Sequence, residues 1–165
     1  MQTRIMKRAL SGTLGAAAMM ALAGAAQAAG FEGRNATNAV DTNCTNWGTN
    51  KCVSFYNATL DITILNDWNI GQGTWDVAAA PGSAQAIAAA AGTAATGLSG
   101  WVLPTLNQYG SITSQVGGRF LDLRLQFAGL NNGGGGYWSS TEYAPDPSQA
   151  WVFVTISGTQ GGWTA

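Results

Sequence analysis

The chain is 165 residues long, with 23 Gly, 7 Trp, no His, 9% charged residues and a formal net charge of −1. This length favours one domain over two. Because the chain has no histidine, its composition excludes Ser-His-Asp triads, Cys-His pairs and His-ligated zinc.

The first 28 residues have the pattern of a secretory signal peptide. Arg4, Lys7 and Arg8 precede an apolar stretch over residues 9–26, and Ala26-Gln27-Ala28 is a typical cleavage site. We therefore predict a signal peptide at 1–28 and one domain at 29–165, exported to the periplasm or the cell exterior. No stretch after Ala28 is long and apolar enough to predict a transmembrane segment in the mature chain.

Cleavage after Ala28 would leave 137 residues, with four Lys and Arg against eight Asp and Glu and so a net charge of −4. The four cations are Arg34, Lys51, Arg119 and Arg124, which are widely separated. A nucleic-acid-binding surface needs clustered cations to displace the counterions of phosphate. Nucleic acid is therefore not an expected partner.

Two cysteines, Cys44 and Cys52, lie in or beside a polar, turn-rich stretch over residues 30–51, which predicts a surface loop outside the core. An exported chain meets an oxidising compartment, so a disulfide between them is predicted. A reactive thiol is the alternative, but no histidine or other base lies nearby in the sequence. A metal site is less favoured still.

The next segments predict a strand pair followed by a helix. Runs rich in β-branched and aromatic residues predict two strands, or one bent strand, at residues 53–56 and 59–65, with a turn at Asn57-Ala58. The polar Asn66-Asp67-Trp68-Asn69 segment ends the extended run.

Thr74 could serve as a helix N-cap, but proline suits the first turn of a helix. We therefore predict a turn over 74–80 and a helix over 81–91, starting at Pro81 and ended by Gly92, with Trp75 and Ile87 as its anchors.

In the second half, Leu103-Pro104-Thr105 predicts a helix start, with Thr105 capping residues 106–112. Over residues 120–127 apolar and polar residues alternate, which favours a strand, although tertiary contacts could make it helical. Residues 131–136 are Asn-Asn-Gly-Gly-Gly-Gly and predict a flexible loop. Strands at 137–141 and 150–157 are predicted to form a hairpin, whose long loop is stiffened by two prolines.

Several ordered segments carry a resemblance to a known family. They are Asp61-Ile62-Thr63-Ile64-Leu65, Thr74-Trp75, Gly100-Trp101-Val102-Leu103-Pro104-Thr105, Tyr137-Trp138-Ser139-Ser140-Thr141-Glu142-Tyr143 and Ala150-Trp151-Val152-Phe153. Over residues 55–160 the pattern resembles the Lcl C-terminal domain family, a C-type-lectin-like fold of secreted bacterial proteins. Tyr143-Ala144-Pro145-Asp146-Pro147 resembles members that carry a PEP-CTERM sorting tail. The resemblance implies an α+β fold, with short helices packed on small twisted antiparallel sheets and many loops.

The chain also departs from that family. Members usually have Arg where this chain has Val102, and they continue into a further strand, which the PEP-CTERM relatives follow with a sorting tail. This chain ends at Ala165. We therefore expect a truncated reading frame that gives no support for surface anchoring. Without the final strand, which closes the sheet against the N-terminal strand in this fold, a sheet edge would stay unpaired.

The aromatic residues divide into two groups. Those at the family's motif positions, Trp75, Trp101, Trp138 and Trp151, are expected to pack structurally, together with Leu103, Pro104, Ser139 and Ser140. We expect the indoles of Trp101, Trp138 and Trp151 to meet inside one scaffold. In loop-like segments, Trp47, Trp68 and Tyr143 are better candidates for contact with a ligand.

Polar side chains near the hairpin are further candidates for catalysis or metal binding. Ser139-Ser140-Thr141 has no visible base to activate a nucleophile, so strand and turn hydrogen bonds explain it better. Glu142 and Asp146 flank the proline-stiffened loop and could ligate calcium, but two carboxylates are too few to predict a metal site. The glycine run lacks the context of a phosphate-binding loop. We predict no cofactor and no metal, and we take Trp68, Glu142, Tyr143 and Asp146 as the candidate ligand-binding residues.

These observations together predict a secreted, non-catalytic recognition or adhesion module that binds polysaccharide or another cell-surface polymer. Residues 141–149 and 131–136 would form one side of its binding face. Relatives include a sulfated-glycan-binding adhesin, but a net charge of −4 favours a neutral glycan. One alternative is a structural surface or matrix protein of an exopolysaccharide-producing bacterium without a discrete site. A less favoured one is an enzyme related to the formylglycine-generating fold, which uses active-site cysteines.

Overall fold

A three-stranded antiparallel sheet forms the first part of the molecule. The computed structural model describes residues 30–76, 78–130, 136–155 and 159–163, so the predicted signal peptide and most of the glycine-rich loop lie outside the described residues. Strands β1 (Phe31–Arg34), β2 (Ser54–Asn57) and β3 (Ile62–Leu65) are arranged in the order β1-β2-β3. The predicted pair of strands at β2 and β3 is confirmed.

The turn between β2 and β3 is longer than predicted. The side-chain carbonyl of Asn57 accepts hydrogen bonds from the backbone N–H groups of Thr59 and Leu60, at 3.1 and 3.0 Å. Asp61 then adopts a positive φ of 52°. These constraints close a local turn, and so the second strand begins at Ile62 instead of residue 59.

The prediction that residues 30–51 form a surface loop outside the core is wrong. Strand β1 lies in this stretch, pairs with β2 and buries Phe31 in the core. The predicted disulfide between Cys44 and Cys52 is confirmed, but each cysteine is only 2% exposed and belongs to the core. A strand of only four residues is too short to give a clear alternating pattern among polar neighbours.

Helix α1 (Ala84–Thr96) differs from the predicted helix at both ends. It begins after Ser83, whose hydroxyl accepts the N–H of Ala86 at 3.2 Å, so Thr74 is not its cap. It ends at Gly97, which has a φ of 72°. Gly92 was expected to stop the helix but lies inside it, buried against the indole of Trp101.

Helix α2 (Leu106–Gln115) begins as predicted. The hydroxyl of Thr105 accepts the N–H of Gln108, and the Gln108 side chain accepts the N–H of Thr105, which together form a capping box. The helix continues for three residues beyond the predicted end because Tyr109, Ile112 and Thr113 are buried on one face.

Residues 120–126 form helix α3 (Phe120–Gln126), so the strand prediction is wrong. Leu123 and Phe127 are fully buried, whereas Leu121 and Leu125 are 62% and 68% exposed. In a helix, residues four apart share a face and residues two apart lie on opposite sides, so alternating leucines divide between core and solvent. The carbonyl of Leu125 accepts hydrogen bonds from the side chains of Asn46 and Trp47, at 3.0 and 3.1 Å.

The second sheet is also antiparallel, with strands β4 (Gly136–Tyr143), β5 (Asp146–Val154) and β6 (Thr159–Trp163) in the order β4-β5-β6. The predicted hairpin is confirmed. Its predicted long loop over 141–149 is wrong, because the strands continue until Tyr143 pairs with Asp146, which leaves a two-residue turn at Ala144-Pro145. The sequence analysis did not predict β6.

One hydrophobic core contains residues from both sheets and from helices α2 and α3. Phe127 makes edge-on contacts with Phe31 and Phe55, with ring centroids 5.8 and 5.7 Å apart, and Tyr109 stacks on Phe153 at 4.7 Å. The fold class is therefore mixed, with three helices and small antiparallel sheets, as the α+β prediction required. Within the described ranges, no helix has the length and apolar character needed to span a membrane.

Asn66 crosslinks three segments of the backbone and is 4% exposed. Its amide nitrogen donates to the carbonyls of Asn46 and Cys52, at 3.2 and 2.8 Å. Its side-chain carbonyl accepts the N–H of Ala128 at 2.8 Å. The disulfide-containing loop, the end of β3 and the segment after α3 therefore meet at one side chain.

The substitution Asn66→Ala should lower the free energy of unfolding by about 2–4 kcal/mol, because it leaves buried backbone groups unpaired. Chemical denaturation followed by circular dichroism measures the change. Asn43→Ala is the matched control, since Asn43 is exposed and its carboxamide makes no hydrogen bond within the described part of the chain. We expect that control to change stability by less than about 0.5 kcal/mol, and an equal loss in both variants would contradict the crosslink.

Two glycines within helices should respond in opposite ways to alanine. A Cβ at Gly92 would lie 2.1 Å from Cγ of Trp101, whereas one at Gly110 in α2 would meet nothing within 4 Å. Gly92→Ala should therefore destabilise the protein by about 1–2 kcal/mol through overpacking. Gly110→Ala should stabilise it by about 0.5–1 kcal/mol through helix propensity. Thermal unfolding of both variants checks the sign, and stabilisation by Gly92→Ala would refute the packing of Trp101 on α1.

Candidate functional site

A cleft of about 540 Å³ lies between the first sheet and the start of the second. One side is formed by strand β3 and the segment 67–73 that follows it. The N-terminal half of α1, the segment 98–104, two residues of α2 and the first residues of β4 line the remainder. This cleft has aromatic walls, and we take it as the candidate functional site.

Three tryptophans contribute to the cleft, and each has its indole N–H bonded inside the protein. Trp68 donates to the carbonyl of Leu65 at 2.9 Å, Trp101 to the hydroxyl of Thr96 at 3.1 Å, and Trp138 to the carbonyl of Gly73 at 2.9 Å. All three side chains are partly exposed. These bonds fix the ring orientations, so the rings offer the cleft their apolar surface while their N–H groups stay internal.

Packing adds to this restraint. The Trp68 ring lies 4.8 Å from the ring of Phe127, and Trp138 lies 6.5 Å from the buried Trp75. Trp101 packs against the bare backbone of Gly92. The aromatic walls are thus held on several sides before any ligand arrives, which reduces the entropy lost on binding.

The segment that follows Trp101 and the strand that contains Trp138 are hydrogen-bonded to each other. The N–H of Ser140 donates to the carbonyl of Pro104 at 2.9 Å, and the N–H of Leu106 donates to the hydroxyl of Thr141 at 3.1 Å. The hydroxyl of Ser139 is buried and donates to the carbonyl of Trp151 at 2.8 Å. Ser140 and Thr141 therefore join the start of α2 to β4, whereas Ser139 joins β4 to β5.

Tyr109 also lines the cleft and is almost fully buried. Its hydroxyl donates to the carbonyl of Trp138 at 3.2 Å. Burial, with a smaller contribution from neighbouring Tyr137, raises the pKa of Tyr109 well above its ordinary value, so the phenol stays neutral at physiological pH. This part of the cleft is consequently uncharged.

The polar groups of the cleft are mainly neutral. Side-chain amides are supplied by Asn69, Gln72 and Gln108, and Ser99 and Thr63 add hydroxyls. Asp67 is the one charged residue among the described residues that line the cleft, which include no cation. Of the segment Asn66-Asp67-Trp68-Asn69, only Trp68 is predicted from the sequence to contact a ligand, because nothing local indicates what folds against its neighbours.

The predicted ligand-binding residues do not form one site. Trp68 lines the cleft, whereas Glu142, Tyr143 and Asp146 lie near the turn of the β4–β5 hairpin and do not line it. Tyr143 packs edge-on against Trp151, with ring centroids 5.3 Å apart. The hairpin residues 141–149 therefore lie outside this cleft, and residues 131–135 of the loop expected beside them lie outside the described residues.

The expected meeting of Trp101, Trp138 and Trp151 is only partly found. Trp101 and Trp138 line the same cleft. Trp138 pairs with Val152, and successive side chains of a strand alternate between faces, so the neighbouring Trp151 lies on the opposite face of the sheet. Trp151 packs against the hydrophobic core and does not line the cleft.

The carboxylate of Asp146 is occupied by local hydrogen bonds. One oxygen accepts the N–H and the hydroxyl of Ser148, at 3.0 and 2.7 Å, and the other accepts the amide of Gln149 at 2.8 Å. These bonds, above all the one from the Ser148 hydroxyl, lower the pKa of Asp146. Within the described part of the chain, no group of three or more acidic or cysteine side chains is placed to hold a metal ion.

We expect the carboxyl group of Asp146 to titrate below the ordinary range for aspartate, and Ser148→Ala to raise that pKa. Because its pKa is lower folded than unfolded, this carboxylate stabilises the protein above the unfolded-state pKa. That contribution is lost as the pH falls through the folded-state pKa. Carbon-detected NMR titration of both proteins measures the shift. An unchanged pKa in Ser148→Ala would show that the hydroxyl bond does not form.

The chain was compared with known protein families, with curated proteins and with solved structures, and nothing matched in any of the three comparisons. What the cleft binds is therefore inferred from its own geometry and chemistry.

Proposed function

We propose that the chain is an exported, non-catalytic recognition or adhesion module whose cleft binds a polysaccharide or other cell-surface polymer without anionic groups. The observation that carries this proposal is the presence of Trp68, Trp101 and Trp138 in one cleft, with their rings fixed and neutral amides beside them.

Aromatic rings and side-chain amides suit the two kinds of surface that a sugar presents. The C–H faces of a pyranose are apolar and pack against indole rings, while hydroxyls at the ring edge bond to amide and hydroxyl groups. Asn69 and Gln72 are exposed at the cleft and are free to reach such hydroxyls. The volume of about 540 Å³ falls within the range typical of small-ligand sites, about 300–1,000 Å³.

The charge of the cleft favours a ligand without sulfate or carboxylate groups. An anionic sugar brought against Asp67 would meet repulsion, and no described cleft residue would compensate its charge. Elsewhere in the described chain, Arg34 pairs with Glu32 and Arg119 with Asp122. These arginines are therefore already engaged with carboxylates.

The proposed lack of catalysis is supported by the state of the nucleophilic groups. Both cysteines form the disulfide, and the hydroxyls of Ser139 and Thr141 are used in internal hydrogen bonds. The disulfide also supports export, since such bonds persist in oxidising compartments. We further propose a C-type-lectin-like relationship to the Lcl C-terminal domain family, because the segments that carry the resemblance at Trp101 and Trp138 build this cleft.

Isothermal titration with neutral, amino and uronate oligosaccharides of matched length tests the proposal. We expect the non-anionic sugars to bind and the uronates not to bind, with no effect of EDTA. Gln72→Ala should weaken binding about fivefold, the value of one net hydrogen bond. Trp101→Phe should weaken it to a similar extent by reducing the stacking surface.

Asn107→Ala is the matched control because Asn107 is an exposed amide on α2 that does not line the cleft. Its affinity should equal that of the unsubstituted protein. Absence of binding to every oligosaccharide, or binding of uronates alone, would overturn the proposal.

A further inference from the structure

The charge asymmetry of the cleft points to a more specific ligand. Asp67 is exposed and lines the same cleft as three partly exposed indoles, and the described lining residues include no cation. One oxygen of its carboxylate accepts the N–H of Asn69 at 2.9 Å, and the other has no partner among the described residues. Asp67 is therefore an exposed carboxylate at a cleft whose described lining includes no cation, and it is available to a cation from the ligand.

The aromatic walls favour the same charge. Indole and phenol rings have electron-rich faces, and ammonium groups are attracted to them, with tryptophan the strongest of the aromatic side chains. Trp68, Trp101 and Trp138 supply three such rings in the cleft that contains Asp67. Neutral sugars use only the apolar character of these rings, whereas an amine also uses their electrostatic character and the carboxylate.

We propose that the cleft prefers a polysaccharide containing unacetylated amino sugars, whose ammonium group is held by Asp67 and the neighbouring indole faces. This inference rests on the proposed function, which it deepens by naming the ligand class. N-acetylation of the same sugar removes the positive charge and leaves the pyranose ring unchanged. The acetylated and unacetylated oligomers are therefore a matched pair of probes.

The experiment is isothermal titration of the full chain with glucosamine hexamer and with N-acetylglucosamine hexamer. We expect the glucosamine hexamer to bind about fivefold more tightly at low salt, as suits an exposed ion pair with cation–π support. Raising the ionic strength to about 0.5 M should reduce this preference by screening, with little effect on the acetylated hexamer.

Asp67→Asn should reduce the preference to less than about twofold while leaving the affinity for the acetylated hexamer unchanged. The asparagine keeps an acceptor for the N–H of Asn69, so the local turn is preserved. Glu142→Gln is the control, since it removes the same charge at an exposed site that does not line the cleft. That control should retain the full preference.

Equal affinity for the two hexamers, or a preference unaffected by Asp67→Asn, would overturn the inference while leaving the proposed function intact. A preference lost equally in Glu142→Gln would assign it to net charge and would also overturn the inference. If neither hexamer binds and the neutral panel also fails, the proposed function itself is refuted.

Discussion

The hydrogen bonds of one buried carboxamide hold together the disulfide-containing loop, the end of β3 and the segment after α3. Asn66 joins the carbonyls of Asn46 and Cys52 to the N–H of Ala128. Removing the side chain takes away all three hydrogen bonds, and lost bonds to buried backbone groups are expensive. Because Asp67 and Trp68 follow Asn66 directly, the same bonds set where the carboxylate and the first indole of the cleft lie. Structural stability and the proposed recognition site thus depend on one residue.

A second set of bonds completes the cleft from the opposite side. The Pro104 carbonyl and the Thr141 hydroxyl connect the start of α2 to β4, and so bring Trp101 and Trp138 to one space from positions far apart in the sequence. Each indole then uses its only donor on the protein itself. Such a site recognises shape and ring surface through the indoles, and leaves hydrogen-bond selection to exposed amides at Asn69 and Gln72. The indole walls of the cleft are therefore rigid, whereas the exposed amides can adapt to the hydroxyls of a ligand.

Much of the local structure follows from the sequence, while the site does not. The cap at Thr105, the disulfide and the β4–β5 hairpin are encoded by residues close to one another, so short-range chemistry predicts them. Helix α3 forms against the local sequence pattern. Its alternating leucines fit a strand, but the contacts of Leu123 and Phe127 with the core favour a helix. The prediction that Gly92 ends α1 is wrong for a related reason, since Gly92 lies inside the helix where Trp101 packs against it. The cleft combines Trp68, Trp101 and Trp138, and no spacing in one sequence shows that they meet.

Helix α3 has a consequence for the order in which the chain can fold. A helix of seven residues is far too short to be stable in isolation. The Leu125 carbonyl near its end is satisfied by Asn46 and Trp47, almost eighty positions earlier in the chain. Its helical state therefore depends on tertiary contacts, and bringing the disulfide-containing loop to this segment costs the loop closure entropy of that long separation. We therefore expect segment 120–126 to become helical late in folding, because its own alternating pattern favours extended structure.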